Sequence, residues 1–227
     1  MLIDFHAHIL PLADHGCDSA DMTRKQMDMA RTYGISAIVA TPHFYPHRHT
    51  VEQFVERQMR GAALLRSVQR ASDPQVILGA EVLACPGMAR MERLEQLCIQ
   101  GTDRVILLEL PFDSISESVW DSVCALQNME FHPVLAHLDR YSQQTVQRAL
   151  NMGLPFQLNA DAFRPPLRRR EWKTLVMQDR VCALGSDLHG ISEDAYRQYN
   201  RAVQFLGKYA ESLMQHTEAL LHGLNTV

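Results

Sequence analysis

A chain of 227 residues with 46% hydrophobic content is long enough for one globular domain with a sizeable core. Its formal net charge of −4 argues against nucleic acid or an anionic membrane as a partner. The basic residues are almost all arginine, with lysine only at Lys25, Lys173 and Lys208.

Short apolar runs alternate with longer amphipathic stretches along the chain. Leu2–Ile9 alternates polar and apolar residues as a strand does, and Ala20–Tyr33 reads as a helix stopped by Gly34. Ile35–Thr41 is a β-branched run ended by Pro42, and Val51–Arg70 is a second helix. A strand over Gln75–Val82 and a helix over Met88–Ile99 follow. Arg104–Leu110 is a strand closed by Pro111, and Ser116–Asn128 is helical. Then come strand Pro133–His137, helix Ser142–Asn151, strand Leu154–Asn159 and helix Arg168–Gln178. Val181–Ser186 is the last strand; Asp194–Leu221 is the last helix, with a break at Gly207. Seven strand–helix units imply parallel strands joined by right-handed crossovers, an α/β fold. In about 220 residues they suggest a closed or nearly closed barrel, with a doubly wound open sheet as the alternative.

The chain begins MLIDFHAHIL, with no basic leader and too short an apolar run for a signal peptide. No stretch approaches the roughly 20 apolar residues of a membrane helix. Cys17, Cys85, Cys98, Cys124 and Cys182 are odd in number, widely spaced and form no C-x-x-C, which fits reduced thiols better than a disulfide framework. The expectation is a cytoplasmic protein without membrane insertion, a single domain over residues 1–227.

The chemistry gathers at the C-terminal ends of the strands, where a barrel builds its site. The first strand carries His6 and His8, the second is followed by His43, the third ends at Glu81 and the fourth carries Glu109. The fifth ends at His137, the sixth at Asn159, and the seventh runs into Asp187 and His189. Residues at i and i+2 of a strand share a face, so His6 and His8 can reach one ion together; Asp187 and His189 can do so if the strand persists. Singly, each has a plainer reading. An H-x-H pair arises by chance, a strand-end glutamate caps a neighbouring helix, His43 is a loop histidine and Asp187 a helix cap. Eight ligand-type residues at one end of six strands are hard to obtain that way, because buried charges need partners or a metal. Imidazole and carboxylate donors without cysteine suit manganese, zinc or iron. More donors than one ion needs suggest two or three divalent ions, and clustered ions bind phosphate oxygens and activate water. Cys98 and Arg104 match C-x5-R, the spacing of cysteine-dependent phosphatases, but lie on a segment leading from a helix into a strand. A phosphate cradle needs the reverse order.

These motifs resemble the PHP superfamily (polymerase and histidinol phosphatase), and within it the manganese-dependent bacterial protein-tyrosine phosphatases of capsular and exopolysaccharide synthesis. The resemblance rests on residues 3–11, Thr41-Pro42-His43, Gly79-Ala80-Glu81, Leu108-Glu109-Leu110-Pro111, residues 133–141 and Gly185-Ser186-Asp187-Leu188-His189. It implies a distorted seven-stranded (β/α) TIM-like barrel with a trinuclear centre. The ligands carried over are His6, His8, His43, Glu81, Glu109, His137, Asp187 and His189. Arg140 takes the phosphate-holding position, and Arg140, Asp187 and His43 are the catalytic assignments. Asp4 is expected to support the histidine pair from behind. One departure is clear: where this branch has Asp-Asp-Gly after the first strand, this chain has Asp14-His15-Gly16, so His15 is assigned as the loop ligand and Asp14 as the reserve.

The resemblance implies a metal-dependent phosphomonoesterase acting on phosphotyrosyl protein, the tail of an autophosphorylated tyrosine kinase in polysaccharide synthesis, with Arg164 and Arg168-Arg169-Arg170 as candidates to steer it. The plainer reading of these arginines, a solvated surface, weighs more. Alternatives are a phosphatase of small phosphomonoesters such as histidinol phosphate or a sugar phosphate, or an amidohydrolase. The latter wants a lysine at a strand end, which this chain lacks. A metal-stabilised scaffold without activity ranks last. A homo-oligomer is compatible with any of these.

Overall fold

The computed structural model describes residues 1–222. Among them are nine strands and seven α-helices. The strands are β1 (Leu2–Ala7), β2 (Ile35–Ala40), β3 (His43–Phe44), β4 (Gln75–Leu78), β5 (Glu81–Leu83), β6 (Val105–Glu109), β7 (His132–Leu135), β8 (Phe156–Asn159) and β9 (Val181–Gly185). The helices are α1 (Ala20–Thr32), α2 (Val51–Val68), α3 (Glu117–Asn128), α4 (Gln143–Asn151), α5 (Arg169–Met177), α6 (Glu193–Leu206) and α7 (Lys208–Leu221). The last two meet at Gly207, where the sequence placed a break.

All strand pairs are parallel, in two sheets ordered β1-β2-β4 and β3-β5-β6-β7-β8-β9. The expected third strand is thus two strands, β4 and β5. Pro42 explains the interruption: it has no N–H for the ladder, so the chain passes from β2 to β3 with a skipped rung. Single bonds carry the pairing across the gap, from Gly79 N to the Ala40 carbonyl (2.9 Å) and from Glu81 N to the Pro42 carbonyl (3.1 Å). The sheets do not close into one continuous ladder. Their outer strands β1 and β9 are tied only past the end of β9, where Asp187 N donates to the His6 carbonyl (2.8 Å) and His8 N to the Leu188 carbonyl (3.0 Å).

A second expectation fails over Met88–Ile99. This stretch forms two short 3-10 turns, Met88–Arg90 and Leu94–Leu97, instead of one helix. Gly87 before the first turn and Arg93 before the second sit at positive φ (76° and 61°), which breaks the α-helical path at each.

The strands read as near-continuous apolar runs because both faces are covered, as in parallel sheets generally. In β1, Ile3, Phe5 and Ala7 are fully buried on one face, and Asp4, His6 and the adjoining His8 are fully buried on the other. Helix starts are fixed locally. Ser19 accepts from Met22 N at the head of α1, and Thr50 and Gln53 form a reciprocal capping box on α2. Among the described residues no helix is long and apolar enough to cross a membrane.

Candidate metal centre

The strand ends converge as the sequence predicts. Three groups of donor atoms lie close enough to share an ion: His6, His8 and Asp187; His8, His43 and His189; and His43, Glu81 and Glu109. His8 and His43 each belong to two groups, so the three form one connected cluster. Glu81 stands at its middle. Its Oε2 is 3.2 Å from His6 Nε2, 3.3 Å from His8 Nε2 and 2.9 Å from His43 Nδ1, while Oε1 is 2.8 Å from His137 Nε2. Asp187 Oδ1 lies 3.7 Å from His6 Nε2 and 3.5 Å from His8 Nε2. Such separations match the donor–donor edges, about 3.0–3.5 Å, of a coordination shell with bonds of about 2.0–2.2 Å.

The chemistry of the donors fits cations. His6 Nδ1 is engaged by Gln157 Oε1 (3.2 Å) and His8 Nδ1 by Asp14 Oδ2 (2.6 Å). With the ring protons on Nδ1, both Nε2 atoms present lone pairs, and these face each other at 3.1 Å. Two lone pairs repel at that distance, and a proton or a metal ion between them is what would relieve the repulsion. His43 Nδ1 and Glu81 Oε2 are buried and, despite their proximity, make no hydrogen bond. Buried polar atoms left in this way are costly, and a shared ion is what would satisfy them.

Electrostatics point the same way. Burial works against the Glu81 carboxylate, yet the charge of His6, the hydrogen bond from His137 and the close approach of His43 outweigh it and hold the group well below the usual carboxylate range. Burial likewise opposes ionisation of Asp187, and His6, His8 and Arg140 overcome it. Burial disfavours protonated His8, but bonds to Asp14, Asp187 and Glu81 push it well above the ordinary imidazole value. Glu109, buried and facing the Glu81 charge, is pushed up to about 7. Burial, then the charge of His8, pulls His189 down to about 4. The carboxylates around His8 thus favour positive charge at that position.

Several residues take places the local sequence did not foretell. Asp187 and His189 were expected to reach one ion together if the last strand persisted. It ends at Gly185, and Asp187 turns to a left-handed φ of 50°. The two side chains therefore enter different groups. His137 also lies past its strand, at φ 33°. Two non-glycine residues in this region cost about 1–2 kcal/mol each and mark a site where aim outweighs backbone comfort. Asp4 does not touch the imidazoles. It accepts from Ser186 N (2.7 Å) and Ser186 Oγ (2.6 Å), and so holds the turn that carries Asp187; burial pushes its carboxyl up to about 6. Asp14, the reserve ligand, accepts from His8 Nδ1, Gly16 N and His43 N. His15 lies exposed at the rim, its ring stacked on His43 at 4.9 Å and near His189 at 4.8 Å, outside the three donor groups. Arg140, half-exposed, pairs with Asp187 Oδ2 at 2.6 Å.

Gln157 is the residue the sequence reading missed. Its Oε1 accepts from His137 N (2.7 Å) and faces His6 Nδ1, and its Nε2 donates to Asn159 Oδ1 (2.9 Å). Asn159 in turn donates to Asp187 Oδ2 at 3.1 Å. The i, i+2 spacing of Gln157 and Asn159, two polar residues on an apolar strand, was the available signal. Two glycines make room for the histidines. A Cβ on Gly185 would lie 2.5 Å from His6 Cβ, and one on Gly16 2.2 Å from His8 Cβ.

The other sequence candidates lie apart. Arg168 donates to the Asp139 carbonyl (3.2 Å), and Arg164 pairs with Asp194 (3.3 Å). Burial pushes the Cys98 thiol up to about 12, the opposite of a nucleophile.

The family model for capsular polysaccharide synthesis, CpsB/CapC, matches residues 2–219. Over 143 residues the chain is 31% identical to the tyrosine-protein phosphatase YwqE of Bacillus subtilis (strain 168). That alignment covers 61% of this chain and 55% of YwqE, so the match spans about half the relative's length. The fold matches a chain from the crystal structures of YwqE from Bacillus subtilis and CpsB from Streptococcus pneumoniae, described as unique metal-dependent tyrosine phosphatases. The TM-score is 0.79 at 21% identity, over 97% of this chain and 94% of that one. This chain belongs to the CpsB/CapC family of capsular polysaccharide synthesis.

Proposed function

We propose that this chain is a single-domain, metal-dependent phosphomonoesterase that hydrolyses phosphotyrosine on a protein, in the cytoplasm, within capsular polysaccharide synthesis. Its two sheets are read as a distorted barrel of the PHP type. The carrying observation is the connected cluster of three donor groups with a half-exposed arginine at its mouth. The family match and the name of YwqE support the same reading.

The residues that would hold the ions are His6, His8, His43, Glu81, Glu109, His137, Asp187 and His189, with His15 completing the outer group whose rings it lies against. Two or three ions suit this set, manganese first, with zinc or iron as alternatives. When bound, such ions lower the pKa of coordinated water and draw charge from phosphoryl oxygens. The protein's own part is orientation. Asp14 and Gln157 fix the His8 and His6 rings, and Asp4 with Ser186 fixes the Asp187 turn. Arg140 is held by one bond to Asp187, which leaves further guanidinium N–H groups for phosphate oxygens. A tyrosyl leaving group, with a phenol pKa near 10, needs less protonation than an alkoxide, which suits a site whose acidic groups are committed to the cluster. The substrate would be the phosphorylated tail of a tyrosine kinase.

The test is turnover of a phosphotyrosyl peptide by manganese-loaded protein, with and without chelator and against histidinol phosphate. Turnover that survives chelation, or a preference for the small ester, would overturn the reading.

A further inference from the structure

Beside the mouth of the metal centre lies a second cavity of about 400 Å³, lined by Phe112, Ile115, Trp120, Arg140, Tyr141 and Arg148 among others. Its size falls in the range of small-molecule pockets, about 300–1,000 Å³. Arg140 lines both this cavity and the mouth, so the two spaces are adjacent. The wall between them is aromatic. The Phe112 ring lies 5.2 Å from Tyr141 at an interplanar angle of 9°, and 5.7 Å from His137 at 18°. The Tyr141 and His137 rings are themselves 5.8 Å apart at 26°. The three centroids are nearly equidistant, so the rings sit side by side with similar tilt, and the inner one, His137, reaches the cluster through Glu81, its Nε2 2.8 Å from Glu81 Oε1.

Two of these rings are buried and fixed. Tyr141 Oη accepts from Leu110 N (2.9 Å) and donates to the Leu110 carbonyl (2.7 Å), which pins the loop after β6 to the turn after β7. Phe112 is different: the residue is 57% exposed on an exposed loop, its ring lying roughly parallel to those of Tyr141 and His137. Burying that ring against its own core would have been the cheaper arrangement. A ring exposed and roughly parallel to its neighbours is suited to receive another ring by offset stacking.

We propose that Phe112 is the specificity-determining platform on which the aryl group of the phosphoester stacks while Arg140 and the metal cluster engage its phosphate. This rests on the phosphatase reading above and adds to it a residue, and a reason, for preferring aryl over alkyl esters. The ligand class is an aryl phosphate, as in phosphotyrosine.

The test compares affinities of benzylphosphonate and methylphosphonate for the manganese-loaded protein, measured by calorimetry, in wild type, Phe112→Ala and Phe112→Trp. Neither compound is hydrolysed, so the readout does not depend on turnover. The aryl-to-methyl affinity ratio is expected to fall about three- to tenfold in Phe112→Ala and to return in Phe112→Trp. Circular dichroism and metal content of each variant establish that the fold and cluster persist. A ratio unchanged in Phe112→Ala, or lowered there and not restored by tryptophan, would overturn the platform while leaving the phosphatase reading intact. Wild-type protein that binds neither phosphonate would overturn both.

Discussion

The Nε2 atoms of His6 and His8 face each other across 3.1 Å, and behind each ring the Nδ1 is already engaged, by Gln157 and by Asp14. The consequence is a pair of converging lone pairs with Glu81 Oε2 within 3.3 Å of both. The outer residues decide which nitrogen the inner ones present. Perturbing them therefore changes metal affinity without removing any donor.

Asp14→Ala frees the His8 ring to rotate and to move its proton. Affinity for manganese is expected to fall about 10- to 100-fold, measured by competition with a metal indicator. His15→Ala removes a rim ring that touches only the outer group. Ion content by mass spectrometry after dialysis should drop by about one per chain, with the tighter sites kept. Equal ion content in His15→Ala and wild type would remove His15 from the ligand set.

Gly185→Ala places a methyl group 2.5 Å from His6 Cβ and 2.7 Å from Gln157 Nε2. Neither neighbour is free to retreat, since one lies on β1 and the other holds the His6 ring. Urea titration of metal-free protein should show a loss of about 1–3 kcal/mol, and metal affinity should fall with it. A variant as stable as wild type would mean that β9 shifts more readily than its ladder with β8 suggests.

Binding should stabilise the fold as well as enable chemistry, because the buried carboxylates repel one another without cations. At manganese a hundredfold above its dissociation constant, one site contributes about 2.7 kcal/mol, a rise in Tm of roughly 5–10 °C for a domain of this size. Differential scanning fluorimetry with manganese, then with excess chelator, checks the rise and its reversal. An unchanged Tm would argue against binding at the cluster.

Cys98→Ser should keep full phosphatase activity, since the thiol is partly buried, held up near 12 and placed before a strand. Iodoacetamide at pH 8 should label the exposed Cys124 quickly, and Cys98 and Cys182 slowly, as followed by peptide mass spectrometry. Loss of turnover on Cys98 substitution would reopen a cysteine mechanism.

The sequence by itself determined which residues stand at the strand ends and what chemistry they offer. The i, i+2 alternation that puts His6 and His8 on one face is local and survives into the structure. So are most of the helices and the break at Gly207. The failures are also local in origin. Left-handed residues at Gly87 and Arg93 break the stretch after β5, and Pro42 interrupts the ladder. Tertiary structure alone decided how the donors divide, with Asp187 joining His6 and His8 while His189 joins His8 and His43. It also decided that Asp14 orients His8, that Gln157 orients His6 across 151 residues of chain, and that Phe112 lies beside His137 and Tyr141 in one cluster of rings. These pairings depend on the relative placement of strands distant in sequence and on two residues in left-handed backbone conformations, neither of which a periodicity within one element can express.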